Sequence, residues 1–317
     1  MDPIRREFLR ALALTLAVAP LRKVYAQSAG NGTTVGNFRY IYADAASRDE
    51  FKKFLVNVFH LYPEDDLQRL IEQAAIAGAS DEEIYRAVQP HLADIKPLLG
   101  DLTYSLPTLS KQKNVLADQT VALLGKGKRR YEGYFEVGSN GRFLDSLEER
   151  LDIAGDKFTM NYVAPTYSLV DVLDRGQISK VGPFIDLNDY RPTIAKQIPA
   201  RSVDLATVFI GFHHCPIDLR DEFIAGIRDV LRPGGALVVR DHNVYDEKMW
   251  HMVALAHDVF NMGTQQTWDY NARERRHFYP LDTLHEMLTR LGFRTDQRRL
   301  LQDGDPTLNT LMLYTKA

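Results

Sequence analysis

Residues 198–240 read IPARSVDLATVFIGFHHCPIDLRDEFIAGIRDVLRPGGALVVR. Val203–Ile210 (VDLATVFI) is mostly apolar and of strand length, as expected for a strand buried on both faces. Leu219–Leu231 follows as a helix, and Gly235–Arg240 (GALVVR) as a second strand. Between them Pro233-Gly234-Gly235 ends the helix and turns the chain into the strand. Strand, helix, strand is the unit of a parallel sheet. The same alternation extends outward. Upstream lie the strands Tyr134–Val137, Lys157–Val163 and Val181–Ile185, with a helix at Arg142–Leu151. Downstream lie a helix at Leu281–Leu291 and the strands Phe293–Leu301 and Thr310–Thr315. Repeated units of this kind predict an α/β fold, a doubly wound sheet with helices on both faces. Ligands of such sheets bind at the carboxyl ends of the strands.

Ahead of the sheet, Phe38 to about Leu124 carries helix patterns and little strand character. Phe51, Phe54, Leu55, Val58 and Phe59 share one helical face within Asp49–Phe59. Pro63-Glu64-Asp65-Asp66 opens another helix, and Ser80 with Glu83 forms a capping box for the next. Asp94–Leu99 and Gln112–Leu124 are weaker helical stretches. Residues 37–125 therefore read as a helical cap segment, and 27–36 (QSAGNGTTVG) as a flexible linker. Residues 1–26 read as a signal peptide. Arg5-Arg6-x-Phe8-Leu9 precedes an apolar run of about 11 residues, Ala11 to Leu21, and Val24-Tyr25-Ala26 fits a cleavage site. The run is too short to span a bilayer core of ~30 Å. The Arg pair has the twin-arginine pattern, and Arg22 and Lys23 disfavour the general secretory path. Export to the periplasm, with the export machinery as partner, is the expectation; an uncleaved amphipathic helix on a cytoplasmic chain is the alternative.

Of 317 residues, 45% are apolar and 26% charged, which excludes disordered, collagen-like and multi-span membrane classes. The formal net charge is −3, and removing residues 1–26 with their 5 basic and 2 acidic side chains would make it −6. Neither balance favours nucleic acid or an anionic membrane. The lone Cys215 rules out an intrachain disulfide and a cysteine-based zinc site. No H-x-x-x-H or H-E-x-x-H spacing occurs, so no metal site is expected. Lys126, Lys128, Arg129 and Arg130 can bind phosphate or form a solvated loop before the first strand.

Three places at strand ends carry chemistry. Phe135-Glu136-Val137-Gly138-Ser139-Asn140-Gly141-Arg142 runs from strand through a glycine turn into a helix. It is not the G-x-G-x-x-G dinucleotide fingerprint, which argues against a nicotinamide oxidoreductase. Glu136 offers a carboxylate that can accept hydrogen bonds from a cationic amino-acid ligand. Phe184-Ile185-Asp186-Leu187 ends a strand in an acid that can accept from an adenine amino group or cap a helix. Phe212-His213-His214 follows the strand at 203–210, and Arg240-Asp241-His242-Asn243 follows the next. Beyond it, His257 and Asn261 stand four apart on one helix face. Asn261–Tyr279 is a polar insertion that reads as lid or as solvated loop.

The order of these segments resembles the small-molecule branch of the class I S-adenosylmethionine-dependent methyltransferases. The matching pieces are Pro199-x-x-Ser202-Val203-Asp204, Phe212-His213-His214 and Leu231-Arg232-Pro233-Gly234-Gly235-Ala236-Leu237. The resemblance covers roughly residues 130–317. It implies a seven-stranded Rossmann-like methyltransferase sheet within 126–317, S-adenosyl-L-methionine as cofactor and a small-molecule acceptor. It places the cofactor on Glu136, Gly138, Ser139, Gly141, Asn161, Asp186, Leu187, Phe212 and His213. His213 and His214 alternatively serve as structural side chains. Asp241, His242 and His257 are the candidates for catalysis: His242 as a base near neutral pH, Asp241 orienting it or contacting the acceptor. One position departs from the family pattern. Where an acid usually grips the ribose, the second strand ends Met160-Asn161-Tyr162. A binding or scaffold protein that keeps the fold without turnover is the rival reading.

Overall fold

The structure is a computed structural model describing residues 35–78, 80–96, 106–125, 127, 130–168, 171–172, 175 and 181–317. The expected signal peptide, most of the linker, and Lys126, Lys128 and Arg129 lie outside the described residues. Four helices come first: α1 (Asn37–Tyr42), α2 (Ala45–Phe54), α3 (Glu64–Ala77) and α4 (Asp81–Val88). The helix expected from Asp49 begins earlier, because Asp44 accepts the Ser47 N–H and caps it. It ends in a π-helical turn, Leu55–Phe59, closed by His60 in the left-handed region at φ 45°. Glu64, Asp65 and Asp66 fill the first turn of α3, where the helix dipole favours negative charge. Ser80 and Glu83 form the expected capping box of α4.

The longer α5 (Leu106–Leu124) leads into the sheet. In chain order the strands and longer helices that follow are β1 (Arg130–Val137), α6 (Leu144–Glu148), β2 (Asp152–Asn161), β3 (Phe184–Asp186), β4 (Val203–Val208), α7 (Ile217–Val230) and β5 (Leu231–His242), with a single helical turn at Ile194–Gln197 before β4. Then come α8 (Glu247–Gly263), α9 (Trp268–Arg273), α10 (Leu281–Arg290), β6 (Phe293–Arg294), β7 (Arg299–Leu301) and β8 (Asn309–Lys316). The sheet order is β3-β2-β1-β4-β5-β8-β6, with β7 also paired to β8. β1 through β5 are parallel, and β8 runs antiparallel between β5 and β6. This is the doubly wound Rossmann-like sheet with a reversed final strand. The expected sixth strand, Phe293–Leu301, is in two pieces, which brings the count to eight. The stretch expected at Val181–Ile185 pairs only over Phe184–Asp186. Pro233-Gly234 lies within β5, not before it. Leu231 pairs Val203 while Ala236 pairs Leu205, so the segment bulges out of register, with Gly234 at φ 75°.

β4 is buried along its whole length, as a central strand covered on both faces must be. Phe135 and Val137 of β1 and Leu237 and Val239 of β5 face a core shared with α7 and α10. Tyr134, Ala236 and Val238 point to the opposite core, which α5 and α6 cover through Leu116 and Leu147. A third core joins α1–α4 to α8: Phe38, Ile41, Phe51, Leu67 and Ile84 pack with Met252, Leu255 and Val259. So α5 packs with the sheet, whereas α8, far downstream in sequence, packs with the cap.

Polar groups fasten that cap. Asp81 accepts the N–H of Asn37 (2.7 Å) and of Phe38 (3.1 Å), which caps α1. The Asn37 side chain donates to Asp258 (2.8 Å) and accepts from His251 Nδ1 (2.9 Å) on α8. The Tyr40 ring stacks on His251 at 3.9 Å. Among the described residues no helix is long and apolar enough to cross a membrane.

Candidate functional site

The carboxyl end of β1 is built around Glu136. Its side chain is buried and accepts from the Tyr134 hydroxyl (2.7 Å), the Ser139 hydroxyl and the Gly141 N–H (3.1 Å). Burial pushes its carboxyl up to about 7. Glu136 thus pins the turn after β1 from inside. Gly138 and Gly141 take φ of 90° and 91°, which side-chain-bearing residues avoid. A Cβ on Gly138 would stand 2.4 Å from Ile210, so the turn is packed tightly against the end of β4.

The neighbouring strand ends are less open than the cofactor reading expects. Asn161 closes β2, is buried, and its Oδ1 accepts the Tyr162 N–H (2.9 Å). Asp186 closes β3, is exposed, and accepts the Asn188 N–H (2.8 Å). Its loop is strained: Asn188, Asp189 and Tyr190 all have positive φ. Leu187 is fully buried in the sheet core and its N–H goes to the Asn161 carbonyl (3.0 Å). Phe212 is likewise buried, its N–H donated to Asp241 (2.8 Å). Glu136, Gly138, Asn161 and Asp186 therefore line the ends of three adjacent strands, β3-β2-β1, on one edge of the sheet. Within that group the exposed Asp186 carboxylate and the glycine turn are the features that fit an adenosyl cofactor. The inward-bonded Glu136 and Asn161 act on the backbone around it.

The ends of β4 and β5 carry the densest chemistry. Asp241 is buried and takes four hydrogen bonds: the Phe212 N–H, His213 Nδ1 (2.6 Å), its neighbour His242 N–H (2.9 Å) and the Tyr279 hydroxyl. Burial alone would raise its pKa. The His213 imidazole outweighs it, with help from the Tyr279 hydroxyl, and holds the carboxyl well below the usual range. Asp241 is therefore ionised and engaged on every side, so it orients His213 and the loop after β4. Four imidazoles gather here. Ring centroids lie 4.1 Å apart for His213–His214, 5.3 Å for His213–His257 and His214–His257, and 5.4 Å for His213–His242. Each Nδ1 faces an acceptor. His214 meets the Arg275 carbonyl (2.9 Å), His242 the Thr307 carbonyl (3.0 Å) and His257 the Glu274 carboxylate (3.2 Å). Since those groups only accept, each Nδ1 carries the proton and each Nε2 keeps its lone pair. Burial pushes His214 and His242 well below the ordinary histidine value and lowers His257. They are neutral near pH 7, and His242 is a weaker base than its type suggests.

Glu274 and Arg276 complete the cluster, and neither stood out in the sequence. Glu274 accepts from His257, from Asn261 (3.1 Å) and from Arg276 (2.9 Å). Burial opposes its ionisation, but His257 and Arg276 hold its carboxyl far below the usual range. Arg276 also donates to Asp258 (2.7 Å), the carboxylate that holds Asn37 of the cap. His257 and Asn261, on one face of α8, thus meet at a single carboxylate. Tyr279 came from the insertion as an aromatic only; its hydroxyl on Asp241 is a tertiary contact. The buried Cys215 thiol is pushed up to about 12 by burial and is not a nucleophile at neutral pH.

No protein-family model and no curated protein sequence matches the chain. Solved structures do. The carbon methyltransferase CurJ aligns with TM-score 0.47 and 14% identity over 86% of this chain and 71% of its own. The Burkholderia thailandensis 1,6-didemethyltoxoflavin-N1-methyltransferase, solved with bound 1,6-didemethyltoxoflavin and S-adenosylhomocysteine, aligns with TM-score 0.43 and 13% identity over 74% of this chain and 87% of its own. CalO1, a methyltransferase of calicheamicin biosynthesis in its S-adenosylhomocysteine-bound form, aligns with TM-score 0.42 and 12% identity over 100% and 69%.

Proposed function

We propose that the chain is an S-adenosylmethionine-dependent methyltransferase acting on a small-molecule acceptor. The observation that carries this reading is the strand-end layout: the Glu136–Gly141 turn after β1, followed outward by β2 and then β3, which end in Asn161 and Asp186. The reversed β8 beside β5 supports it, because that strand order matches the family the sequence resembles. When bound, the cofactor supplies a methyl group activated on a sulfonium. Glu136 would hold the turn, Asp186 would accept from the adenine amino group, and the imidazoles beyond β4 and β5 would wall the acceptor side and keep water out. The reading includes export by the twin-arginine route, supported by Arg5-Arg6-x-Phe8-Leu9. Calorimetric titration of the mature chain with S-adenosylhomocysteine tests the function: a saturable one-to-one isotherm is expected, and no heat at millimolar ligand removes the reading.

A second reading is an exported methyltransferase-fold binding protein without turnover. Asn161 favours it. Its Oδ1 is taken by the Tyr162 N–H, and it lacks the charge that would grip both ribose hydroxyls. Transfer of labelled methyl to any acceptor in an extract of the source cells eliminates this alternative.

A further inference from the structure

We propose that His213, His214 and His257 form a binding site for one divalent transition-metal ion of the zinc type. One potential ligand atom from each lies within 4.8 Å of the others. The three come from two elements, the loop after β4 and the middle of α8, so no local spacing announces them.

Two features distinguish this cluster from a chance meeting of imidazoles. First, the nitrogens are presented correctly. Every Nδ1–H is donated outward, to Asp241, to the Arg275 carbonyl and to Glu274. In a neutral ring that leaves Nε2 as the nitrogen with an in-plane lone pair, the tautomer a metal requires. Carboxylate or carbonyl behind each ligating imidazole is the usual outer arrangement of a zinc site. Second, the Nε2 atoms of His213 and His214 are buried and have no hydrogen-bond partner among the described residues. Leaving one such group unsatisfied costs about 1–3 kcal/mol, and two in one cluster call for a common partner.

Zinc bound tetrahedrally at about 2.0–2.1 Å needs nitrogens about 3.3 Å apart, so the separations, all within 4.8 Å, would shorten by at most about 1.5 Å on binding. All-imidazole donors favour zinc, copper, nickel or iron over magnesium or calcium. Three protein ligands leave a coordination position for a nitrogen or oxygen of a small molecule. The ligands sit on the β4–β5 side of the sheet, apart from the Gly138 turn, which is the side the acceptor would occupy. The site stands on these contacts whether or not the chain transfers methyl groups.

The test is cobalt(II) and zinc(II) binding to the full chain, after chelator treatment and dialysis. Expected are about one zinc per chain and the visible ligand-field band of tetrahedral cobalt, which zinc displaces. His214→Ala and His257→Ala should each lower affinity by at least 100-fold. Glu274→Gln, which leaves every ligand in place, should lower it about 10- to 100-fold. The unmutated protein's cobalt spectrum and X-ray absorption, which must report nitrogen neighbours, stand even if an alanine variant fails to fold. Zinc below about 0.1 per chain with no cobalt band overturns the proposal. So does binding that the folded His214→Ala and His257→Ala variants retain in full, since it would then reside on other histidines.

Discussion

Replacing Glu136 with glutamine should change how stability depends on pH, and by a predictable amount. The folded carboxyl titrates at about 7 instead of its ordinary 4.5, because burial disfavours its charge. At ~1.36 kcal/mol per pH unit that difference is about 3 kcal/mol. Below pH 4.5 the group is protonated in both states and costs nothing. As pH rises from 4.5 to 7 the unfolded chain ionises first, which draws the equilibrium toward unfolding. Above 7 the whole penalty is present. Glu136→Gln cannot ionise. Its amide can still accept from Ser139 and Gly141 while Tyr134 turns its hydroxyl to Thr207, 2.8 Å away. Urea titrations of both proteins across pH 4.5–8 should therefore show the wild type losing about 3 kcal/mol relative to the variant over that range. Parallel profiles would refute the reasoning, because they would place Glu136 in contact with water or a compensating cation.

Two further outcomes follow from contacts described above. Gly138→Ala should lose about 2–5 kcal/mol, from about 1–2 for the left-handed conformation and about 1–3 for the contact with Ile210. Gly234→Ala, also at positive φ but with nothing near its Cβ, should lose only the first part in the same thermal unfolding experiment, and equal losses would argue against the Ile210 contact. Asn37→Ala removes the links to Asp258 and His251 and should cost about 2–4 kcal/mol in urea, one of its two bonds being to a carboxylate; a change under about 0.5 kcal/mol would mean that apolar packing alone seats the cap.

Much of the fold is legible in the residue pattern, because strands buried on both faces are short apolar runs and the helices between them carry their own caps. The Ser80–Glu83 box and the acidic first turn of α3 are local signals, and both are realised. The π-helical turn at Leu55–Phe59 and the bulge at Pro233-Gly234 are not legible. Gly234 supplies the positive φ of the bulge, but where β5 begins is set by the pairing of Leu231 with Val203, a tertiary contact. At the site, His213, Asp241, His242 and His257 stand out as polar residues among apolar ones, and the structure brings them together. Glu274 and Arg276 do not stand out. The run Ala272–Phe278 (ARERRHF) has the composition of a solvated loop, and only its return over α8 buries those charges against each other. His213, His214 and His257 escape motif reading for the same reason: the loop after β4 meets α8 in the fold, not through spacing.

The core shared by the cap and α8 sets an order of events during synthesis. Asn37 and its partner Asp258 are 221 residues apart, and Tyr62 bonds the carbonyl of Gly263 from 201 residues away. When α1–α4 leave the ribosome, the face of α8 they pack against has not yet been made. Phe38, Phe51 and Phe59 must wait uncovered while the whole parallel sheet is translated. Such long-range closure is slow, and the waiting surface is prone to stick to other chains. The imidazole cluster, which draws on Glu274 and Tyr279, comes together later still, while α8, translated long after α1–α4, decides when those first helices are covered.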